Sequence, residues 1–158
     1  MTALANPETK FQPRDPDFVA KVETSFVRQE AMKTLGIHIH EVRAGFVELR
    51  MPYTKKYTQQ HGFMHAGVLA TALDSACGYA AFSLMENDAA VLTVEFKTNL
   101  LAPAKGKEFA FRAQVLKSGK TLTVCDAQAF AITNREERLI ASMNGTLIAV
   151  YGRPDVQQ

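Results

Sequence analysis

The longest apolar stretch of the chain reads Ala66-Gly-Val-Leu-Ala-Thr-Ala-Leu-Asp-Ser-Ala-Cys-Gly-Tyr-Ala-Ala-Phe-Ser-Leu-Met85. Its single charged residue is Asp74, and a lone carboxylate among apolar neighbours is costly unless partners or chemistry compensate for it. The stretch reaches the length of about 20 residues that a transmembrane helix needs, but its carboxylate, its many alanines and its polar start favour a buried helix. We therefore predict a helix over residues 66–85 that is buried on nearly every side.

Alternating apolar and polar residues predict strands on both sides of this helix. Residues 37–43 and 46–51 flank the turn signal Ala44-Gly45 and predict a hairpin, which Pro52 ends. Four further strands are predicted after the helix, in meander-like succession, at 90–101, 108–117, 122–133 and 139–151. Because a helix that is apolar all round needs a sheet curved around it, the predicted fold class is α+β, with a curved antiparallel sheet wrapped around one long helix.

A chain of 158 residues fits a single domain, since about 150 residues bury roughly 70% of the unfolded surface. We place that domain at residues 17–152, between a flexible N-terminal arm, 1–16, and a short polar tail, 153–158. The arm is rich in proline, which disfavours a helix, and lacks the pattern of a secretion signal. Within the domain, Asp17 and Gly36 are predicted to bound a first amphipathic helix.

The composition argues against several classes of function. Hydrophobic residues make up 47% of the chain, charged residues 22%, and the formal net charge is +2, which indicates neither disorder nor a basic nucleic-acid-binding surface. Cys77 and Cys125 are the only cysteines and lack the spacing of metal ligands, so we expect two reduced core residues. We therefore expect a cytoplasmic protein that binds neither nucleic acid nor a membrane and carries no metal.

Polar residues with a definite spacing precede and enter the long helix. Gln59 stands six residues before His65, the next two positions are Ala66 and Gly67, and Asp74 follows nine residues after the histidine. This pattern resembles that of the hot-dog-fold acyl-CoA thioesterases, particularly the phenylacetate-pathway type and the 4-hydroxybenzoyl-CoA thioesterases, which have Asn or Gln, then His-Gly-Gly, then Asp or Glu at these spacings. The resemblance covers about residues 37–150. It implies the hot-dog fold and the hydrolysis of acyl-CoA.

The resemblance implies catalytic roles for five residues, which are Asp74, Gln59, Ala66, Gly67 and Thr93. In the family, the backbone N–H at the position of Ala66 bonds the thioester carbonyl oxygen, and Ala keeps this N–H although Gly is usual there. A helix N-terminus, where Ala66 and Gly67 would lie, suits a developing oxyanion. Asp74 is general base or nucleophile, a choice the sequence leaves open. Gln59 would hold the thioester or the water, and Thr93 would position the water unless it is an ordinary strand residue.

The family also implies a shared site, with Gln59 and the Ala66 amide on one chain and Asp74 on the other. We therefore expect a homodimer, or a homotetramer built as a dimer of dimers. No cofactor is expected, because coenzyme A is part of the substrate. The alternative, structural role for Asp74 is that of a carboxylate hydrogen-bonded at a contact between subunits.

Ten further residues are candidates for substrate binding: His65, His61, Phe63, Met64, Cys77, Gly78, Lys117, Ser118, Gly119 and Lys120. The apolar members would line an acyl pocket, His61 would lie near the cleft, and His65 is also expected to hydrogen-bond the loop before the helix. Lys117 and Lys120 would meet the phosphates of coenzyme A as point charges, unless they belong to a solvated hairpin turn.

Two other functions of the same fold stay open. A hydratase or dehydratase needs a His working with a carboxylate at a different spacing, and the chain has no clear copy of that arrangement. A non-catalytic acyl-CoA sensor would keep the pocket without the chemistry, but it would usually carry an output domain, for which a chain of 158 residues leaves no room. The presence of both Gln59 and Asp74 favours a thioesterase over these two alternatives.

Overall fold

The computed structural model describes residues 11–156 and 158. Its helices are α1 (Phe18–Phe26), α2 (Glu30–Leu35) and α3 (Ala66–Phe82), with a short 3-10 helix at Lys55–Tyr57. Its strands are β1 (His38–Arg43), β2 (Phe46–Pro52), β3 (Ala90–Leu100), β4 (Glu108–Ser118), β5 (Leu122–Thr133) and β6 (Glu136–Val150). The long helix and all the predicted strands are confirmed, with ends within three residues of the predicted ones.

The strands form one antiparallel sheet in the order β1-β2-β4-β5-β6-β3. Strands β4, β5 and β6 follow one another as a meander, as predicted. The prediction was wrong for β3, which pairs with β6 at the far edge, so that β4 lies beside β2. Alternation along a strand determines which face each residue points to, but it does not determine the neighbouring strand. The chain thus leaves β2, runs through α3, and returns at the opposite edge of the sheet.

Helix α3 packs against the curved sheet as predicted, and it contacts β2, β3, β4, β5 and β6. Ala72, Ala76 and Ala80 on this helix are fully buried, and their small side chains let the helix approach the strands closely. At Gly145 of β6, an added Cβ would lie 3.8 Å from the sulfur of Cys77. Among the described residues, no helix is both long and apolar enough to cross a membrane.

Residues 17–36 form two helices, so the single predicted helix was wrong. Val22, Ser25 and Phe26 are the buried residues of α1, and Met32 is the buried residue of α2. A break in the helical backbone separates the two helices. Gln29 forms the break with extended angles of φ −77° and ψ 100°, and Gly36 ends α2 in the left-handed conformation, as predicted.

Part of the predicted arm, residues 1–10, and Gln157 of the predicted tail lie outside the described residues. Residues 11–16 pack on the body of the protein. The ring of Phe11 lies so close to Gly45 that a Cβ added there would be 3.2 Å from it. Gln158 contacts the edge strand, since its side chain accepts a 3.2 Å hydrogen bond from the Val91 N–H. The domain boundary at residue 17 stays a prediction.

Lys21 joins α1 to the turn that follows α3. Its ammonium lies 3.5 Å from the Asp15 carboxylate, with side chains only 10% and 8% exposed. It also donates a 2.7 Å hydrogen bond to the Met85 carbonyl and lies 4.5 Å from the centre of the Phe82 ring. Burial lowers the pKa of Lys21, and the Asp15 carboxylate acts in the opposite direction. The pair is therefore a buried ion pair with additional hydrogen bonds, whose members depend on each other.

We expect Lys21→Met to lower the free energy of unfolding by about 3 kcal/mol, because it leaves the Asp15 carboxylate buried without its cation. Urea denaturation followed by circular dichroism measures the change. The matched control is Lys33→Met, which breaks a 2.6 Å pair with Glu30 whose side chains are 54% and 81% exposed. That exposed pair contributes about 0.5 kcal/mol or less, and equal losses in the two variants would contradict this account of Lys21.

Candidate functional site

A compact turn over residues 59–63 leads into α3. The Gln59 N–H donates to the Phe63 carbonyl at 2.9 Å, and the Gly62 N–H donates to the Gln59 carbonyl at 3.0 Å. Gly62 has a φ of 81°, which favours glycine. The side-chain oxygen of Gln59 accepts the N–H of His61. The turn therefore fixes the Gln59 amide near the helix N-terminus.

His65 caps α3, whereas the sequence predicted a bond from its side chain to the loop before the helix. Its Nδ1 accepts the Gly67 N–H at 2.9 Å, and its carbonyl accepts the N–H groups of Val68 and Leu69. The Ala66 N–H makes no hydrogen bond to any residue of the described chain. Of the two amides predicted to bind an oxyanion, Gly67 is thus already engaged, and Ala66 keeps a donor for a ligand.

Asp74 lies half-buried on the third turn of α3, and the Thr93 hydroxyl of β3 donates a 2.8 Å hydrogen bond to its Oδ1. Burial raises the pKa of Asp74, and the hydrogen bond from Thr93 lowers it in part. The second carboxylate oxygen has no partner among the described residues. The structure therefore holds one oxygen in place and leaves the other to act as a proton acceptor.

Two cavities meet at Asp74. The larger has a volume of about 460 Å³ and lies between α2, α3 and Phe96 of β3. The smaller, of about 70 Å³, reaches towards Thr93 and Gly78. Gln29 and Ser75 also line both cavities. These two residues were missed in the sequence analysis, because the break that brings Gln29 to α3 was read as helix interior.

The five predicted catalytic residues form two groups within one chain. Asp74 and Thr93 lie together, whereas Gln59, Ala66 and Gly67 lie at the N-terminus of α3. Asp74 follows Ala66 by eight residues, which places their backbones roughly 12 Å apart at the helical rise. One thioester carbonyl and one attacking water span only a few ångströms, so the two groups of a single chain are too far apart to act on the same bond.

The predicted binding residues are spread more widely. His61 is exposed, Phe63 half-buried, and Met64 and Cys77 buried. The neighbouring Cys125 thiol and burial raise the pKa of Cys77 well above its usual value, so Cys77 is a neutral packing residue in this structure. Both cysteines are free, as expected. No group of three or more metal-ligating side chains occurs within residues 11–156 and 158.

Lys117 and Ser118 end β4, and Gly119 and Lys120 lie in the turn to β5, at the opposite end of the sheet from the N-terminus of α3. Arg14 bonds both the Gly119 carbonyl and Glu86, which lies just beyond the end of α3. At Gly119, an added Cβ would lie 2.7 Å from the Leu122 carbonyl oxygen, so the turn requires glycine. Within one chain, the two lysines are therefore far from the helix N-terminus.

Comparisons with known proteins agree with this fold. A model of the thioesterase superfamily matches residues 61–137. A thioesterase family protein from Silicibacter pomeroyi has 60% identity and a TM-score of 0.84, over 85% of this chain and 99% of that one. A thioesterase from Staphylococcus aureus has 25% identity and a TM-score of 0.70, over 75% and 96% of the two chains. Mouse acyl-coenzyme A thioesterase 13 is 34% identical over 73 residues, which are 46% of this chain and 51% of that protein.

We expect Thr93→Val to raise the pKa of Asp74 above its wild-type value, because the variant removes the hydrogen bond that favours the ionised carboxylate. Titration of the carboxyl carbon by NMR measures this pKa directly. Thr133→Val, at the exposed end of β5, is the matched control and should leave the titration unchanged. A wild-type titration curve for Asp74 in Thr93→Val would rule out the proposed influence of the Thr93 hydroxyl.

Proposed function

The chain belongs to the thioesterase superfamily and is a thioester hydrolase, and we propose that it cleaves acyl-CoA to the free acid and coenzyme A. The observation that carries this proposal is the half-buried Asp74 carboxylate, fixed by Thr93 beside a cavity of about 460 Å³. The likeness to an acyl-coenzyme A thioesterase supports coenzyme A as the thiol part of the substrate. The reaction uses no cofactor, because coenzyme A arrives with the acyl group.

In the proposed mechanism, the Ala66 N–H donates to the thioester carbonyl oxygen and stabilises the negative charge that develops there. Asp74 takes a proton from water, the water oxygen bonds to the carbonyl carbon, and the C–S bond then breaks. The departing thiolate receives the proton. The raised pKa of Asp74 suits it to accept this proton. Gln59 would bind the thioester or the water from the turn before α3.

Variants of the Staphylococcus aureus thioesterase support the choice of Gln59 and Asp74. The names of two of its structures record alanine in place of a glutamine and of a glutamate that stand 15 residues apart, which is also the separation of Gln59 and Asp74 here. The two structures are 25% and 27% identical to this chain. Their substituted glutamine and glutamate match the amide and the carboxylate proposed to act here.

The exposed edge strand supports a homodimer. Strand β3 ends the sheet, and its Leu92, Val94, Phe96 and Leu100 are between 42% and 58% exposed. A long apolar edge is an aggregation hazard unless another chain covers it. The exposed residues of the other edge strand, β1, are the polar or charged His38, His40 and Glu41. We propose that two copies meet along β3, and that dimers can pair further into a tetramer.

The two separated groups of site residues also support this dimer. If the β3 strands of two copies pair antiparallel about a two-fold axis, the α3 N-terminus of one copy approaches Asp74 of the other. The same axis brings the turn with Lys117 and Lys120 to the end of the dimer where the partner's helix begins. An extended coenzyme A could then reach from the carbonyl to these lysines, which would bind its phosphates as point charges.

The apolar part of the larger cavity, with Met32, Ala70 and Phe96, suits medium-chain or aryl-acetyl groups. Since the chain is a thioester hydrolase, the hydratase and the sensor are no longer favoured. Turnover of a panel of acyl-CoA thioesters, followed by release of the free thiol, tests the proposed substrate. No thiol release from any member would contradict the assignment to coenzyme A thioesters.

We expect Asp74→Asn and Gln59→Ala each to be poorly active, with kcat for Asp74→Asn lower by about 10²-fold or more, because a general base is lost. Mixing the two variants should restore about a quarter of the wild-type activity, because half of the dimers are mixed and each holds one intact site. Acyl-CoA turnover after subunit exchange, with the exchange verified by mass spectrometry, measures the recovery.

Asp126→Asn is the matched control for Asp74→Asn, since this carboxylate accepts a 2.8 Å hydrogen bond from Asn144 on the other face of the sheet. It should keep the wild-type kcat. If mixed dimers form but remain inactive, the complete site lies within one chain and the shared site is wrong.

We expect Ala66→Pro to lower kcat by about 10²-fold, because it removes one oxyanion donor. The fold should survive, since proline is tolerated in a first helical turn and the preceding His65 has the extended angles, φ −64° and ψ 137°, that proline favours. Ala66→Gly, the control, keeps the N–H and should stay within a few-fold of the wild type. A folded Ala66→Pro variant with full activity would mean that another group polarises the carbonyl.

A further inference from the structure

Gln29 stands out because the chain is broken to place it beside the site. It lies between α1 and α2, and its backbone carbonyl accepts the N–H groups of Met32 and Lys33, so the backbone caps α2. The side chain makes no capping bond. It points instead to α3, where its Oε1 accepts a 3.2 Å hydrogen bond from the Ser75 hydroxyl, next to Asp74 in sequence.

The hydrogen-bonding groups of Gln29 are only partly used. Ser75 supplies a donor for the amide oxygen, whereas the amide nitrogen, with its two N–H groups, bonds no residue of the described chain. Gln29 lines both cavities that meet at Asp74. The amide nitrogen is therefore a fixed donor whose partner must come from a ligand or from water.

The groups around Gln29 limit which kind of ligand group can accept a hydrogen bond from its amide nitrogen. The larger cavity has an apolar part, formed by Ala31, Met32, Ala70 and Phe96, and a polar part beside Gln29 that includes Asp74 and Ser75. The Asp74 carboxylate, when ionised, disfavours a negatively charged group nearby. A neutral acceptor oxygen on an otherwise apolar acyl group matches both conditions.

We propose that Gln29 determines acyl-group specificity, with its amide N–H groups binding a neutral oxygen substituent of the acyl chain or ring. This inference rests on the proposed acyl-CoA thioesterase function. A substrate without such an oxygen would enclose the Gln29 amide against apolar atoms and leave its donors unpaired, which disfavours that substrate. Ser75 holds the amide in the orientation that exposes the nitrogen, so it is a positioning residue for Gln29.

The test compares matched substrates. Butanoyl-, hexanoyl- and phenylacetyl-CoA are each measured beside their singly hydroxylated counterparts, and kcat/KM of the hydroxylated ester is divided by that of its parent. In wild type we expect at least one ratio well above one. In Gln29→Met, which keeps the length of the side chain, that ratio should fall by about 5- to 10-fold, as expected for one lost hydrogen bond.

Two further variants keep the test decisive. Gln29→Leu removes the amide donors with a branched apolar side chain and should lower the same ratio. Gln114→Met is the control, because Gln114 lies on β4 between the buried Ala113 and Val115 and thus points away from α3; its ratios should be those of wild type.

The possible outcomes separate the inference from the proposed function. Wild type that releases thiol from none of the esters contradicts the thioesterase proposal itself. Wild type that is active, with ratios unchanged in folded Gln29→Met and Gln29→Leu, overturns the role of Gln29 alone. Equal losses of kcat/KM for the hydroxylated and parent esters would overturn it too, because they would mean that Gln29 acts on the attacking water or on folding. Thermal denaturation identifies any variant that does not fold.

Discussion

The protein depends on burying a helix that is apolar all round and yet contains one carboxylate. Helix α3 loses most of its surface to the sheet, with Leu73, Ala76 and Cys77 almost fully buried, but a charged Asp74 cannot lie among these contacts without a large cost. It lies instead where the helix faces the edge strand β3, and the Thr93 hydroxyl binds it there. The boundary between core and edge is therefore where a reactive carboxylate can be both held and reached.

The same boundary gives a physical reason for the proposed sharing of the site between two chains. Strand β3 forms the far edge of the sheet and exposes Phe96 and Leu100 there. A second copy would cover these residues and supply the helix N-terminus that lies roughly 12 Å too far away within one chain. Association and catalysis then have a common physical cause, since the surface that needs covering is the one beside Asp74.

Sequence patterns predicted those parts of the structure that depend on local periodicity. The limits of α3 and the strands followed from apolar runs. A structural role for His65 was also expected, although its side chain bonds the first turn of α3 and not the loop before it. The position of β3 did not follow from such runs, because register and partner depend on contacts distant in sequence. The break at Gln29 was also missed, because no glycine or proline marks it in the sequence. Gln29 and Ser75, 46 residues apart, could not be paired from the sequence alone.

The departure from the family pattern at Ala66 becomes understandable from the geometry of the cap. Ala66 lies inside α3 and is not among the non-glycine residues with positive φ, so its methyl group causes no backbone strain, and its N–H stays free. The next position is different, because a Cβ at Gly67 would lie 3.2 Å from Nδ1 of His65. That contact would press on the imidazole whose Nδ1 accepts the Gly67 N–H. Glycine is therefore needed at the second position to maintain the cap, whereas the first needs only its N–H, and alanine provides that.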